Sequence, residues 1–367
     1  MIPRAPTTAL MPVAEAAAAL ARLARPVAVV EAGLREAVGA AAARDLVAEG
    51  LPRDRIALRD GWAVNAAAIV GASPYAPVRL VRPPAWVEAG DPLPPGTDAL
   101  LPPEAIGADP LEIEAEAASG EGTRAPGTEL PAGARLVAAG ERVTPLHGLA
   151  LAAAGLDRIP VRRPHLRLLA AAPDTLSPLL RAWIAAGGGT AEAAFRPAEA
   201  EALAEILAEA VVRPGADAVV VIGGTGPGRR DAGAEALARA GRLHAHGLAL
   251  RPGESAGFGE AGGRPVLLLP GRPDACLAAW LALGQPLLAA LAGAAADPPA
   301  VLPLTRKVAS VIGLTEVVFL RRVAAGAEPL GGAEIPLHRL ARAEAALLVP
   351  PAHEGYPAGT PVEVLPL

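Results

Sequence analysis

The chain has 367 residues, a formal net charge of −5 and only 2% aromatic residues. That length predicts two or three domains with ample material for a core, and the acidic balance excludes a nucleic-acid partner, which would demand a basic face. Cys276 is the single cysteine, which excludes a disulfide framework and a cysteine zinc site and suits a cytoplasmic setting.

In chain order, no secretory signal is expected at the N-terminus. Arg4 is followed by no continuous apolar core, and Glu15 and Arg22 interrupt the alanine-rich stretch. The spacing predicts helices over 12–24 and 29–43. From 56 to about 129 the texture changes to short apolar runs broken by Pro and Gly, as in PVRLVRPPAWVEAGDPLPPGTDALLPPEAIG. Such spacing predicts a β-rich insert over 51–129. Residues 132–163 are expected to return as a helical connection, so that 1–50 and 130–164 make one discontinuous helical linker domain. Strands at 166–171 and 217–222 then alternate with helices near 178–186 and 197–212. That βα repeat predicts a parallel sheet with right-handed crossovers, a three-layer α/β/α domain over 165–295. Residues 275–296 carry no charge, which is long enough to span a bilayer. Gly284-Gln285-Pro286 interrupts the run, and Asp274 and Asp297 flank it where basic or aromatic anchors would stand, so a buried helix pair and no membrane is expected. Beyond Pro298-Pro299, runs at 317–323, 346–349 and 362–365 predict a small β-barrel-like domain over 296–367.

The chemistry is concentrated between 217 and 275. DAVVVIGGTGPGRRD is a short apolar strand that stops at a glycine-rich turn, after which Asp231 opens an alanine-rich helix. A glycine loop between a strand and a helix start turns several backbone N–H groups in one direction, which makes an anion site. Gly223, Gly224, Thr225, Gly226 and Gly228 form that loop here. HGLALRPGESAGFG and RPVLLLPGRPDA follow, so Arg229, Arg230, Arg251 and Arg272 all fall at or just after such turns. Positive charge is thus expected at one edge of the sheet, where open α/β sheets bind ligands, with phosphate the leading candidate. A dinucleotide fold is excluded, because no G-x-G-x-x-G opens an early βαβ unit with an acidic residue about 20 positions on.

The order and wording of these blocks resemble the MoeA/gephyrin family of molybdenum-insertion enzymes, the molybdopterin molybdenumtransferases. The family's GGxSxGxxD block stands as 223–231, its HGxxxxPG block as His246-Gly247 leading to Arg251-Pro252-Gly253, and its LPGNP as Leu269-Pro270-Gly271-Arg272-Pro273. Upstream, LPRDRIALRDGWAVNAAA at 51–68 is similar to LPPFDRSAMDGYAV, and GTRAPGTELPAGARLVAAGERVTP at 122–145 is similar to the R-x-x-GEDI segment. Asp174-Thr175-Leu176-Ser177-Pro178 resembles DSNSP, and 340–348 with the closing GYPAGTPVEVLPL resembles the last domain. Almost the whole chain is covered in order.

The resemblance implies a cytoplasmic homodimer of four parts, with the insert of one protomer facing the sheet domain of the other. It implies that adenylylated molybdopterin receives molybdate with Mg²⁺ assistance and release of AMP, and that a molybdoenzyme or another cofactor-biosynthesis protein is a partner. Two anionic reactants then need cations, backbone donors or Mg²⁺ between them, and carboxylates to hold that metal. By the same resemblance Asp60, Glu129 and Asp231 are the catalytic candidates, with Asp60 and Asp231 on Mg²⁺. The pterin would be held by Gly223, Gly224, Thr225, Gly226, Gly228, Arg229, Arg251, Pro252, Gly253, Gly271, Arg272, Asp174, Ser177 and Arg124. Each residue also has a plainer reading: Asp231 as a helix cap, Asp60 within an ordinary Asp-Gly turn, Glu129 as a solvated surface charge, His246 as a hydrogen-bonded core histidine.

Departures from the family pattern are local. Ala57, Arg59 and Gly226 replace a serine, a methionine and a serine, and Arg272 replaces an asparagine. The TGDEL block after 166–171 is contracted away with its carboxylate pair, and the QGSG-type loop is missing around 336–340. The rival reading is a non-catalytic molybdopterin-binding or carrier protein on the same scaffold.

Overall fold

The computed structural model describes residues 10–171, 174–212, 215–228, 231–296 and 298–367. They divide into two compact units, one comprising the described residues of 10–44, 139–144 and 158–367, the other 45–138 and 145–157.

The first unit is organised by a six-stranded sheet. Its strands are β1 (His165–Ala170), β2 (Thr190–Phe195), β3 (Ala218–Ile222), β4 (Arg242–His246), β5 (Gly257–Ala261) and β6 (Arg264–Leu269), arranged β2-β1-β3-β6-β5-β4. The four strands β2, β1, β3 and β6 are parallel, whereas β5 runs antiparallel to both β6 and β4. The sheet is therefore mixed, which corrects the all-parallel expectation. The cause is the Gly262-Gly263 pair, whose φ values of 54° and 74° close β5 onto β6 as a tight hairpin.

Both faces of the sheet are buried, as continuous apolar strands require. Leu166, Leu168, Val220, Ile222, Leu267 and Leu269 point to one face, against the helices Val13–Leu23, Ser177–Ala186 and the apolar run from Pro273. Leu169, Val219, Val221, Val266 and Leu268 point to the other, against Ala200–Val212 and Gly233–Ala240. The apolar run is one continuous helical stretch, Pro273–Ala292, rather than the expected pair. Trp280–Gly284 forms a π turn within it, where the Trp280 ring packs so closely on Gly284 that a Cβ there would stand 2.1 Å from it. By length and composition this stretch could cross a membrane, yet 78% of its window is buried in the core.

Two helix expectations fail. Residues 29–43 form a strand, Val29–Gly33, one helical turn, Leu34–Ala37, and a second strand, Ala41–Ala42. The β-branched Val29-Val30 pair aligns with Val161 and Arg162 of the strand Arg158–Arg162, and Gly39 at φ 86° breaks any helix there. Residues 132–163 contain a single helix, Pro145–Ala153, between the strands Arg135–Val137 and Arg158–Arg162. Gly133 and Gly140, at φ 77° and 80°, punctuate that segment as turns. The linker expected to be helical is thus mixed in structure.

At the C-terminus Thr315–Val323 joins Gly326–Gly331, Ala345–Val349, Pro361–Pro366 and Ala300–Pro303 in a second sheet. The short strand Leu250–Arg251 adds to its edge in parallel with Thr315 and Glu316. The second unit is β-rich: Gly61–Val64 lies between Ala85–Val87 and Ala99–Leu101, over a core of Val64, Ile69, Leu101 and Ile113.

Candidate functional site

A cavity of about 360 Å³ opens where β3 and β6 end. Its walls are the glycine loop with Asp231, the turn Gly253–Glu254–Ser255, and Pro270–Gly271–Arg272 with Ala275 behind them. Glycines here serve close approach. A Cβ on Gly271 would meet the Cα of Gly223 at 3.3 Å, so the two loops touch backbone to backbone. Gly223 and Gly224 hold φ values of 78° and 71°, which turn the chain out of β3. A Cβ on Gly233, at the start of the following helix, would stand 2.9 Å from the Gly224 carbonyl.

Side chains pin the loop from beneath. Thr225, 2% exposed, shares a 3.1 Å hydrogen bond with the Ser255 hydroxyl. His246 Nε2 donates to the Thr225 carbonyl at 2.8 Å; that ring is exposed and braces the loop rather than sitting in a core. Asp231 accepts from the Gly228 N–H at 2.9 Å, and Glu254 accepts from the Gly253 N–H at 3.0 Å. Two amides of the site are therefore satisfied by carboxylates. The N–H groups of Gly224, Thr225 and Gly226 have no acceptor among the described residues, and three consecutive free amides are what an oxyanion requires.

The cations are arranged differently from the sequence expectation. Arg272 lines the cavity, half exposed, and its Nε donates to Asp274 at 2.7 Å. Asp274 is 3% exposed and also accepts from the Glu334 N–H at 2.7 Å. Arg251 is not among the lining residues, because pairing with Glu316 carries it into the edge of the C-terminal sheet; the buried Pro252 follows it, and the chain returns to the wall from Gly253 onward. Arg229 and Arg230 lie outside the described residues. A cation the sequence reading missed is Arg196, directly after β2. It is 6% exposed, and its guanidinium rests on Gly224, where a Cβ would stand 2.9 Å from NH1. Burial pulls its pKa down and the charge of Asp231 opposes that pull. Its only sequence signal is its place at the end of a parallel strand.

Asp174 and Ser177 do not line the cavity. Asp174 caps the helix Ser177–Ala186, accepting from the N–H groups of Leu176 at 3.2 Å and Ser177 at 2.9 Å. Ser177 is buried, and its hydroxyl has no partner among the described residues.

The remaining candidates belong to the second unit. Asp60 is exposed and accepts from the Ala89 N–H at 2.8 Å, a contact to a loop distant in sequence rather than to its own turn. Glu129 pairs with Arg124 at 2.8 Å near the surface, and Arg124 lies opposite Ile56 on the neighbouring strand. Among the described residues no group of three or more His, Cys, Asp and Glu side chains could hold a metal ion.

With this geometry the comparisons with known proteins agree. Residues 11–155 match the model of the MoeA N-terminal region (domain I and II), and residues 165–290 match the model described as "Probable molybdopterin binding domain". Molybdopterin molybdenumtransferase 2 of Mycobacterium tuberculosis is 31% identical over 316 residues, covering 74% of this chain and 76% of that protein. A crystal structure of the molybdopterin biosynthesis moeA protein from Pyrococcus horikoshii superposes with a TM-score of 0.77 at 21% identity, covering 98% of this chain and 100% of that one. A second structure of a moeA protein from that source gives 0.76 at 25% identity, covering 97% and 98%. On the shared sequence, the two matched regions and the whole-chain fold, this protein belongs to the MoeA family, whose place is in molybdenum cofactor biosynthesis.

Proposed function

We propose that the protein binds molybdopterin through its phosphate at the cavity below β3 and β6, and that it inserts molybdate into the adenylylated form with release of AMP. The observation that supports this most is a run of three amides, without an acceptor among the described residues, on a glycine loop that lines a cavity of about 360 Å³. Within it the chain's own groups divide the work. The amides of Gly224, Thr225 and Gly226 hold an oxyanion, Arg272 gives a partly exposed cation at the rim, and the Thr225–Ser255 and His246 contacts hold the loop in shape before the ligand arrives.

Mg²⁺ is ordinarily held by one or two carboxylates together with substrate phosphates and waters. Asp231 and Glu254 supply that donor count in the cavity, so the residues fit the ion, and these two would hold it. Bound there it would screen the repulsion between phosphate and molybdate. Asp60 and Glu129 remain the catalytic candidates of the second unit.

The test supplies purified protein with adenylylated molybdopterin, molybdate and Mg²⁺ and follows AMP. Release above the protein-free rate supports insertion. The second reading, a molybdopterin carrier without turnover, draws on the contraction of the TGDEL-like block after 166–171, which removes a carboxylate pair. Tight pterin binding with no AMP release would favour it.

A further inference from the structure

Arg196 is 6% exposed, and the nearby charge of Asp231 offsets only part of the cost of burying it. Its NH1 donates to the Pro197 carbonyl at 3.0 Å, its Nε is buried without a partner, and no salt bridge to it exists among the described residues. A buried charge without its counter-charge is expensive, and the cost is bearable where a ligand brings the opposite charge. An unpartnered buried Nε is shared by Arg162, Arg167 and Arg321; what sets Arg196 apart is its place directly behind the wall of the cavity. Its guanidinium lies against Gly224, with a Cβ there 3.0 Å from both Cζ and NH2, beside the amides of 224–226 that have no acceptor among the described residues.

We propose that Arg196 ligates a tetrahedral oxyanion held on the glycine loop. Its fork and the three amides are then one site, assembled from the ends of β2 and β3. The proposal rests on the reading of the cavity as an oxyanion site. Two sources share that chemistry, the phosphate of the pterin and molybdate, and the experiment separates them.

Inorganic phosphate and molybdate are titrated separately into wild type, R196Q and R196K by calorimetry at two ionic strengths, with melting temperatures recorded. Loss of one charge-assisted contact predicts binding of the true ligand weakened by about tenfold or more in R196Q, with a shallower salt dependence, while R196K keeps that dependence but loses part of the affinity. Weakening confined to phosphate assigns the pterin phosphate, and weakening confined to molybdate assigns the metal oxyanion. Wild type that binds both with R196Q unchanged overturns the role of Arg196 alone. Wild type that binds neither overturns the oxyanion reading and this proposal together. If R196Q does not fold, R196K decides: wild-type affinity for both ions there would reduce Arg196 to a prop.

Discussion

Gly224→Ala is the perturbation that best separates backbone strain from site architecture, because Gly263 provides a matched control in the same sheet domain. Gly224 sits at φ 71° and Gly263 at 74°, but a Cβ on Gly263 would meet nothing within 4 Å while one on Gly224 would press on Arg196 at 2.9–3.0 Å. Placing an L-residue in the left-handed region costs about 1–2 kcal/mol. The reduced freedom of the unfolded alanine chain offsets about 0.4–1 kcal/mol of that. G263A should therefore lose roughly 1 kcal/mol. G224A should lose the same plus roughly 1–3 kcal/mol for displacing a packed guanidinium. At about 2–4 °C per kcal/mol for a domain of this size, G263A should melt a few degrees low and G224A about two to four times further. Calorimetric melting without ligand measures the difference, and titration with a pterin phosphate measures the accompanying loss of affinity. Equal melting temperatures for the two variants, with wild-type affinity in G224A, would refute the contact between the loop and Arg196.

Other expectations follow from single residues. Asp274→Ala removes the acceptor shared by Arg272 and the Glu334 N–H, so urea unfolding should show a loss of about 1.5–3 kcal/mol; an unchanged midpoint would mean the contact is idle. Cys276, its pKa pushed up to about 12 by burial and then by the charge of Asp174, should ignore a thiol reagent at pH 8 until the protein unfolds. Because the native state keeps that proton while the unfolded thiol loses it above its ordinary value of 9.0, stability should fall as pH rises from there toward 12, by up to about 1.4 kcal/mol per pH unit. Chemical denaturation across that range in wild type and Cys276→Ala isolates the slope. Glu129→Gln breaks a pair close to the surface, so the melting temperature should move by less than the equivalent of about 1 kcal/mol; a large drop in AMP release at unchanged stability would mark the carboxylate as catalytic.

The sheet domain was legible in the sequence because its strands are short apolar runs that stop at Gly and Pro. Both faces of β3 and β6 are covered, so Val219–Ile222 and Leu267–Leu269 needed no alternation to be read. The errors came where strands are short and paired at long range. Val29–Gly33 and Arg158–Arg162 hold β-branched residues but stand beside alanine-rich sequence, and their pairing across about 130 positions is a tertiary effect that a local reading does not carry. The glycine loop was found from its composition, but the distribution of arginines around it was not. Arg251 is taken away by a strand pairing with Glu316, while Arg196 reaches the loop from the end of β2 without any motif of its own.

That redistribution changes the electrostatics of the site. Four turn arginines led to the expectation of a positively charged sheet edge. Among the described residues the cavity instead carries Arg272, already paired with Asp274, beside the carboxylates of Asp231 and Glu254. Its lining side chains do not supply a net positive field. On the proposed reading, the attraction for an oxyanion that the described residues could supply would come from the backbone amides of 224–226, from Arg196 set behind them, and from any cation that enters with the ligand. The amides act at short range and in a fixed direction, whereas a surface field of arginines would act at a distance and be screened by salt. Such a site selects by shape before charge, because the amides reward only an oxyanion that fits against the loop, and an anion that does not fit meets two carboxylates.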